Sequence, residues 1–369
     1  MIPLFDISHQ TDGLVEEIKR AWSNILVSGH FVSGAQVEAF ELAFAQAHRT
    51  KKAVAVSNGT VALELTMSAM GVGPGDEVIV PANSFIATAE GVSNVGGTPV
   101  FVDIDSATAN IDVAAAESAI GPRTVGVVGV HLYGSPFDAV AMRQLCDRRG
   151  IFLIEDAAQA HLARAGDETV GGLGHAGTFS FYPGKNLGAP GEGGMITTND
   201  EALAAKLVSL RSHGETERYV SRYVGTNARM SEISAAVLNL KLPRLETWNQ
   251  QRRDIASVYT KLLHVVDRVD TTRQPDWATS VHHIFSVTLP DRDLARAEMA
   301  KRGVETGLHY PIPIHRQGAY EHLGYGDGSL PVTEDRARRL MSLPIYPGLD
   351  VADVEAIVDA LGASLDKSA

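Results

Sequence analysis

The chain has a single cysteine, Cys146, among 369 residues. One thiol excludes an intrachain disulfide and any cysteine-built zinc cage, and it suits a reducing compartment. No apolar run approaches the roughly 18 residues of a membrane span. The opening MIPLFDISHQ has neither the basic nor the apolar region of a signal peptide, so a cytoplasmic location is expected. Positive charge is in deficit: 32 Lys and Arg face 44 Asp and Glu, for a net charge of −12. That balance argues against general nucleic-acid binding but leaves room for a local basic pocket that holds a phosphate. Repeats, low-complexity tracts, a Walker A lysine loop and an HExxH helix are all missing. The 13 histidines show no metal-ligand spacing, so no metal is expected.

What remains is ordinary for a globular protein, 44% hydrophobic and 21% charged. The length suggests about two domains at roughly 150 residues each. Two stretches, DGLVEEIKRAWSNIL and AQVEAFELAFAQAHR, have apolar residues at helical spacing on either side of Ser33-Gly34. Strands and helices then alternate. KAVAVS, EVIVPA, TPVFVDI, TVGVVGV and IFLIEDA read as strands, separated by helical stretches of which two end on Gly71 and Gly150. Their near-continuous Val/Ile runs suit a parallel sheet covered on both faces. TFSFYPG and GMITTN predict two further strands close in sequence. A long helical stretch interrupted at Pro243 follows, then HHIFSVTL as a strand, DLARAEMAKRG as a helix and VADVEAIVDALGASL as a C-terminal helix. We expect an α/β architecture with a boundary near Trp248: a large domain over 1–247 and a smaller α+β domain over 248–369.

In open α/β sheets, ligands bind at the carboxyl ends of the strands. The polar residues there are Ser57-Asn58-Gly59-Thr60, Asn83-Ser84-Phe85, His131-Leu132-Tyr133, Glu155-Asp156 with Gln159, and Ser180 to Lys185. SNGT before a helix suits a phosphate at the helix N-terminus, or serves only as an N-cap through Thr60. Asp156 at the mouth of a buried strand needs a partner. That partner is a protonated ring nitrogen, a helix N-terminus or an ordinary ion pair. Lys185 lies in FSFYPGKNLGAPGEGG, a Gly/Pro loop after a strand. There it is either a solvated loop charge or a desolvated amine whose neutral form can make a Schiff base. GLGHAG, Gly172 to Gly177, has the letters of a dinucleotide loop but precedes a strand, so that context fails. His282-His283 opens a strand, which directs the two rings to opposite faces. His309-Tyr310-Pro311 is either turn chemistry or part of the large domain's mouth.

Taken together, SNGTVALELTMSAMGVGPGDEVIVPANSFIATA, PVFVDID, HLYGSP, IEDAAQAH, GTFSFYPGKNLGAPGEGG and HYPIP resemble, in order and over nearly the whole chain, the DegT/DnrJ/EryC1/StrS sugar aminotransferases. The resemblance implies the aspartate-aminotransferase fold (fold type I) and pyridoxal 5′-phosphate (PLP), with pyridoxamine 5′-phosphate (PMP) in the half-reaction. It makes Lys185 the Schiff-base lysine and Asp156 the partner of the pyridine nitrogen. Gln159 pairs with the ring hydroxyl and Phe85 stacks on the ring. Gly59, Thr60 and Ser180 form the phosphate cup, and Asn227 reaches the phosphate from a neighbouring subunit, which implies a homodimer with shared sites. Tyr182, Arg218, His309 and Tyr310 resemble positions around the nucleotide diphosphate. Many relatives carry Lys-Tyr-x-His where this chain has Arg218-Tyr219-Val220-Ser221, a departure that touches sugar recognition. The implied reaction is amino transfer from L-glutamate to a dTDP- or UDP-linked keto-deoxysugar, at C-3 rather than C-4. The alternatives are 4-amination, a PLP sugar dehydratase, in which histidine would replace Lys185, and a non-catalytic sensor.

Overall fold

The computed structural model describes residues 1–365. Helices α1 (Val15–Ser28) and α2 (Ala35–Ala47) precede a seven-stranded sheet. Its strands are β1 (Lys52–Val56), β2 (Glu77–Pro81), β3 (Thr98–Val102), β4 (Thr124–Val130), β5 (Phe152–Asp156), β6 (Ala176–Ser180) and β7 (Gly194–Thr198). Their order across the sheet is β1-β7-β6-β5-β4-β2-β3. All pairings are parallel except those of β7, which runs antiparallel to both β6 and β1. Helices α3 (Gly59–Met70), α4 (Ala87–Ser93), α5 (Val113–Ala119) and α6 (Ala139–Arg149) connect the successive strands from β1 to β5, whereas the β5–β6 and β6–β7 connections carry no helix, the first pair being parallel and the second antiparallel.

Both faces of the sheet are buried, as the Val/Ile runs require. In β4 the apolar run is broken by glycines because bulky rings need the space. A Cβ on Gly126 would sit 2.0 Å from the Phe152 ring, and one on Gly129 2.2 Å from the Phe137 ring. Helix α3 is capped by Asn58, whose Oδ1 accepts from Val61 N at 2.9 Å, so the cap of SNGT is Asn58 and not Thr60.

Helices α7 (Glu201–Leu210) and α8 (Glu232–Lys241) lead into α9 (Leu245–Leu263). Leu245 and Trp248 of α9 join the large sheet's core. Ile255, Ala256, Tyr259 and Leu263 join a second core with Val287, Met299, Met341 and Leu361. This second unit contains a three-stranded antiparallel sheet, β8 (Asp270–Thr271), β9 (Phe285–Thr288) and β10 (Leu340–Leu343), ordered β8-β9-β10. It also includes α10 (Arg292–Lys301), α11 (Pro331–Arg339) and α12 (Val351–Leu365). Neither α11 nor β10 is apparent from the sequence: a four-residue strand directly after an arginine-rich helix shows no period of its own. The expected second domain runs to residue 369, of which 366–369 lie outside the described residues. The first residues belong with the second unit, since Ile2 N donates to Gly303 O at 2.7 Å and Glu305 N donates to Ile2 O at 3.0 Å.

Candidate active site

The carboxyl ends of the strands open into a cavity of about 860 Å³ between the large sheet and the second unit. It is lined by Gly59, Thr60, Phe85, Asp156, Gln159, Ser180, Tyr182, Lys185, His309 and Tyr310, ten of the twelve residues to which the resemblance gives a role.

Adjacent residues of a strand point to opposite faces, and the end of β5 uses both. Glu155 turns away from the cavity and is fully buried. It accepts from His131 Nε2 at 2.9 Å and from the N–H groups of Gly171, Leu173 and Gly174 at 2.7–2.8 Å. The glycine-rich stretch before β6 thus wraps a carboxylate of its own chain. Burial pushes the Glu155 carboxyl up, but His131 and these N–H groups outweigh it and hold the group below its usual range. Asp156 faces the cavity. Its Oδ2 accepts from Thr88 Oγ1 at 2.8 Å, and Thr88 Oγ1 lies 2.8 Å from Ser84 Oγ. Its Oδ1 accepts from Ala158 N at 3.2 Å. Burial raises the Asp156 pKa, opposed by Thr88, Ala158 and the charge of Lys185. A cation over this carboxylate would stabilise its charged form.

Lys185 follows β6 in a loop held from afar. Gln10, 2% exposed, donates through Nε2 to Lys185 O at 2.9 Å and accepts from Gly188 N at 3.3 Å. Lys241 Nζ donates to Gly188 O at 2.7 Å and to Gln10 Oε1 at 3.3 Å. Burial brings the Lys185 ammonium down to about 8, with Asp156 opposing. A substantial neutral fraction is therefore present near physiological pH, so Lys185 is not an ordinary loop charge.

Beneath Lys185, Gly59 meets Ser180 so closely that a Cβ on Gly59 would lie 2.7 Å from the Ser180 Cβ. This packing brings the free N–H groups of the α3 N-terminus and the hydroxyls of Thr60 and Ser180 to one wall, the donor set an anion requires. Gln159 is fixed at both ends: Oε1 accepts from Tyr133 N at 2.7 Å, and Nε2 donates to Tyr310 OH at 3.2 Å. Tyr133 holds a left-handed φ of 60° and donates its hydroxyl to His309 O at 2.6 Å. The Phe85 and Tyr310 rings lie 5.5 Å apart. His309 Nδ1 meets Ser342 Oγ at 2.9 Å, and burial lowers its pKa to about 4, helped by Lys185.

Arg218 and Asn227 are not lining residues of this cavity. Arg218 is exposed, in a short hairpin over Glu215–Glu217 and Val220–Ser221. Its guanidinium lies 5.0 Å from the Tyr219 ring centroid. Asn227 is exposed, and its Oδ1 accepts from Arg229 Nε at 3.0 Å. Conversely, the cavity includes residues that sequence reasoning missed. Phe5 and Ile7 reach its mouth, Thr88 holds Asp156, and His283 lines the wall by Ile284. Of these, only His283 stood out in the sequence, but not for the expected reason: His282-His283 does not open the strand, which begins at Phe285, and His282 takes a left-handed φ of 41°.

A strand-end pocket with a low-pKa lysine, a buried carboxylate and an anion cradle defines a PLP-dependent aminotransferase of fold type I. The chain belongs to the DegT/DnrJ/EryC1/StrS aminotransferase family, whose model matches residues 13–362. It is 42% identical over 362 residues to the erythromycin biosynthesis sensory transduction protein EryC1 of Saccharopolyspora erythraea, covering 98% of this chain and 99% of that one. It is 39% identical over 360 residues to a dTDP-3-amino-3,4,6-trideoxy-alpha-D-glucose transaminase of Streptomyces venezuelae, covering 98% and 95%. The solved structure of S. venezuelae DesV superposes with a TM-score of 0.96 at 39% identity, with 98% of each chain covered. Bacillus subtilis NtdA, solved with bound PMP, superposes at 0.92 with 30% identity, covering 99% of this chain and 85% of that one.

Proposed function

We propose that this protein transfers the amino group of L-glutamate to a dTDP- or UDP-linked 3-keto-deoxysugar, in amino-deoxysugar biosynthesis. The observation that carries the reading is Lys185, with a pKa near 8, sharing one cavity with the buried Asp156. The named relatives include a dTDP-3-amino-sugar transaminase, which supports a nucleotide-linked acceptor and C-3 chemistry.

When bound, PLP supplies an electron sink that its protonated ring nitrogen maintains. Asp156 would set that protonation by holding negative charge at its Oδ atoms, with Thr88 keeping the carboxylate oriented. Gln159 would hold the ring hydroxyl, Phe85 would stack on the ring, and Gly59, Thr60 and Ser180 would hold the phosphate. Lys185 Nζ would be the covalent anchor, and its free amine would accept and return the proton of the donor's α-carbon. Tyr182, His309 and Tyr310 stand on the acceptor's side of the cavity. Asn227 and Arg218, exposed on their own chain, serve the cavity of a second copy in a homodimer, Asn227 at the phosphate and Arg218 at the diphosphate. The dehydratase alternative lacks its histidine, since Lys185 stands there. We place the protein in the cytoplasm and its domain division near Trp248.

Separate half-reactions test this reading. L-Glutamate alone should convert the bound PLP to PMP with loss of the visible absorption band, and NMR of products from a panel of dTDP- and UDP-ketosugars should show a 3-amino sugar. An unchanged band with glutamate indicates a passive binder, and a 4-amino product corrects the regiochemistry.

A further inference from the structure

His283 lines the same cavity as Lys185 yet has no part in the reading above. It is buried, at the point where the chain enters β9, and its tautomer follows from its neighbours. Asn186, the residue after Lys185, donates through Nδ2 to Val281 O and to Asn249 Oδ1, both at 2.9 Å. A backbone carbonyl only accepts, so that edge of the amide must be the NH₂ group. The Asn186 Oδ1 therefore faces His283 Nδ1, at 3.1 Å. Asn249 agrees, because its own Nδ2 donates to His161 O at 2.9 Å, leaving Oδ1 to accept. An amide oxygen cannot donate, so His283 Nδ1 carries the hydrogen. A neutral imidazole has one N–H, which leaves Nε2 as a bare acceptor.

The ring is held neutral: burial lowers its pKa well below the usual value, and Lys185 and Arg252 add to the effect. The contact of Nδ1 with Asn186 is the one hydrogen bond of the His283 ring among the described residues, which leaves Nε2 without one, and the residue lines the cavity. Several polar groups of the same cavity are already engaged. Asp156, Thr88 and Ser84 bond one another, Gln159 is bound at both ends, and Tyr310 OH accepts from Gln159 and keeps its own hydrogen free. The cavity lining therefore includes a donor, Tyr310, and an acceptor, His283. A ketone beside a hydroxyl has the complementary pair.

We propose that His283 is a specificity-determining residue for the acceptor, its Nε2 accepting a hydrogen bond from a hydroxyl that flanks the keto carbon of the sugar. The proposal rests on the amino-transfer reading of the cavity. A sugar without that hydroxyl leaves a buried acceptor unpaired, and such a loss is worth roughly 10- to 100-fold in kcat/KM.

The test uses wild-type holoenzyme and His283→Phe with a 3-keto-6-deoxyhexose and its 4-deoxy and 2-deoxy analogues, each as dTDP and UDP conjugates. Wild type should prefer the hydroxylated sugar over one of the two analogues by roughly 10- to 100-fold, and His283→Phe should level that preference. The loss should fall on the acceptor half-reaction more than on the glutamate half-reaction. A wild type indifferent to both hydroxyls, or a preference that survives in His283→Phe, overturns the proposal. Should the variant not fold, ¹⁵N-histidine NMR of the wild type decides. The expected result is a protonated Nδ1 and a bare Nε2 whose signal moves with the hydroxylated amino-sugar product and not with its deoxy counterpart. A protonated Nε2, or a shift caused by the cofactor alone, overturns it. Failure of glutamate to bleach wild-type holoenzyme would instead count against the amino-transfer reading.

Discussion

Replacing Lys185 by methionine should stabilise the protein without cofactor, with a gain set by pH. The ammonium moves from 10.5 in the open chain to about 8 in the fold. At about 1.4 kcal/mol per unit, the lysine costs the fold about 3 kcal/mol wherever it is protonated. The sign follows from proton counts. Between pH 8 and about 10.5 the unfolded chain binds more protons than the folded one, so wild-type stability rises with pH through that window. Below it the full penalty applies. Lys185→Met removes the penalty, less whatever Asp156 loses with its cationic neighbour. Denaturant unfolding of the apo forms at pH 7, 9 and 10.5 measures this. Expected is a gain of up to about 3 kcal/mol at pH 7 that fades towards pH 10.5. A gain independent of pH would reflect only the packing of methionine. A loss at pH 7 would refute the idea that Lys185 sits desolvated, and with it the supply of neutral amine.

Three further outcomes follow from the site. Lys185→Ala should retain the fold, fail to hold PLP covalently by borohydride trapping, and lose roughly 10²–10⁴-fold in turnover from the missing proton carrier alone. Asp156→Asn should still bind PLP but transfer protons slowly in stopped-flow, and a wild-type rate would reduce Asp156 to a structural carboxylate. Mixed and refolded dimers of a Lys185→Ala chain and an Asn227→Ala chain should regain part of the activity, since one cavity per dimer is intact, and verified mixed dimers without activity would remove Asn227 from the shared site.

The large sheet is legible because its strands are Val/Ile runs punctuated by glycine, and because three of the four crossover helices carry a side-chain cap, Asn58, Asp112 or Asp138. The candidate cofactor residues are legible for a related reason. Gly59, Thr60, Asp156, Gln159, Ser180 and Lys185 each stand within a few residues of a strand end, where strand–helix alternation already locates the ligand crevice. What escapes is held across the chain. Gln10 meets the Lys185 loop from 175 residues away, and His283 meets Asn186 from 97 residues away. No periodicity records such pairings. Thr88 lies inside a short helix of small residues, where a hydroxyl has many structural uses, and only the 2.8 Å contact with Asp156 separates it from them.

These distant contacts share one consequence. The first ten residues bridge the two units: Ile2 pairs with Gly303 and Glu305 of the second, Phe5 sets its ring 6.1 Å from His309, and Gln10 grips the backbone at Lys185. His283 and Asn186 form a second bridge beside it. The reacting lysine is thus tied by its own backbone and by its following residue to the unit that carries His283, His309 and Tyr310. A shift between the units would strain both ties before it could change the distance from Lys185 to the acceptor. Since loss of orientation by about an ångström can cost on the order of 100-fold in rate, these ties account for why so many buried polar side chains surround Lys185 without entering the chemistry themselves.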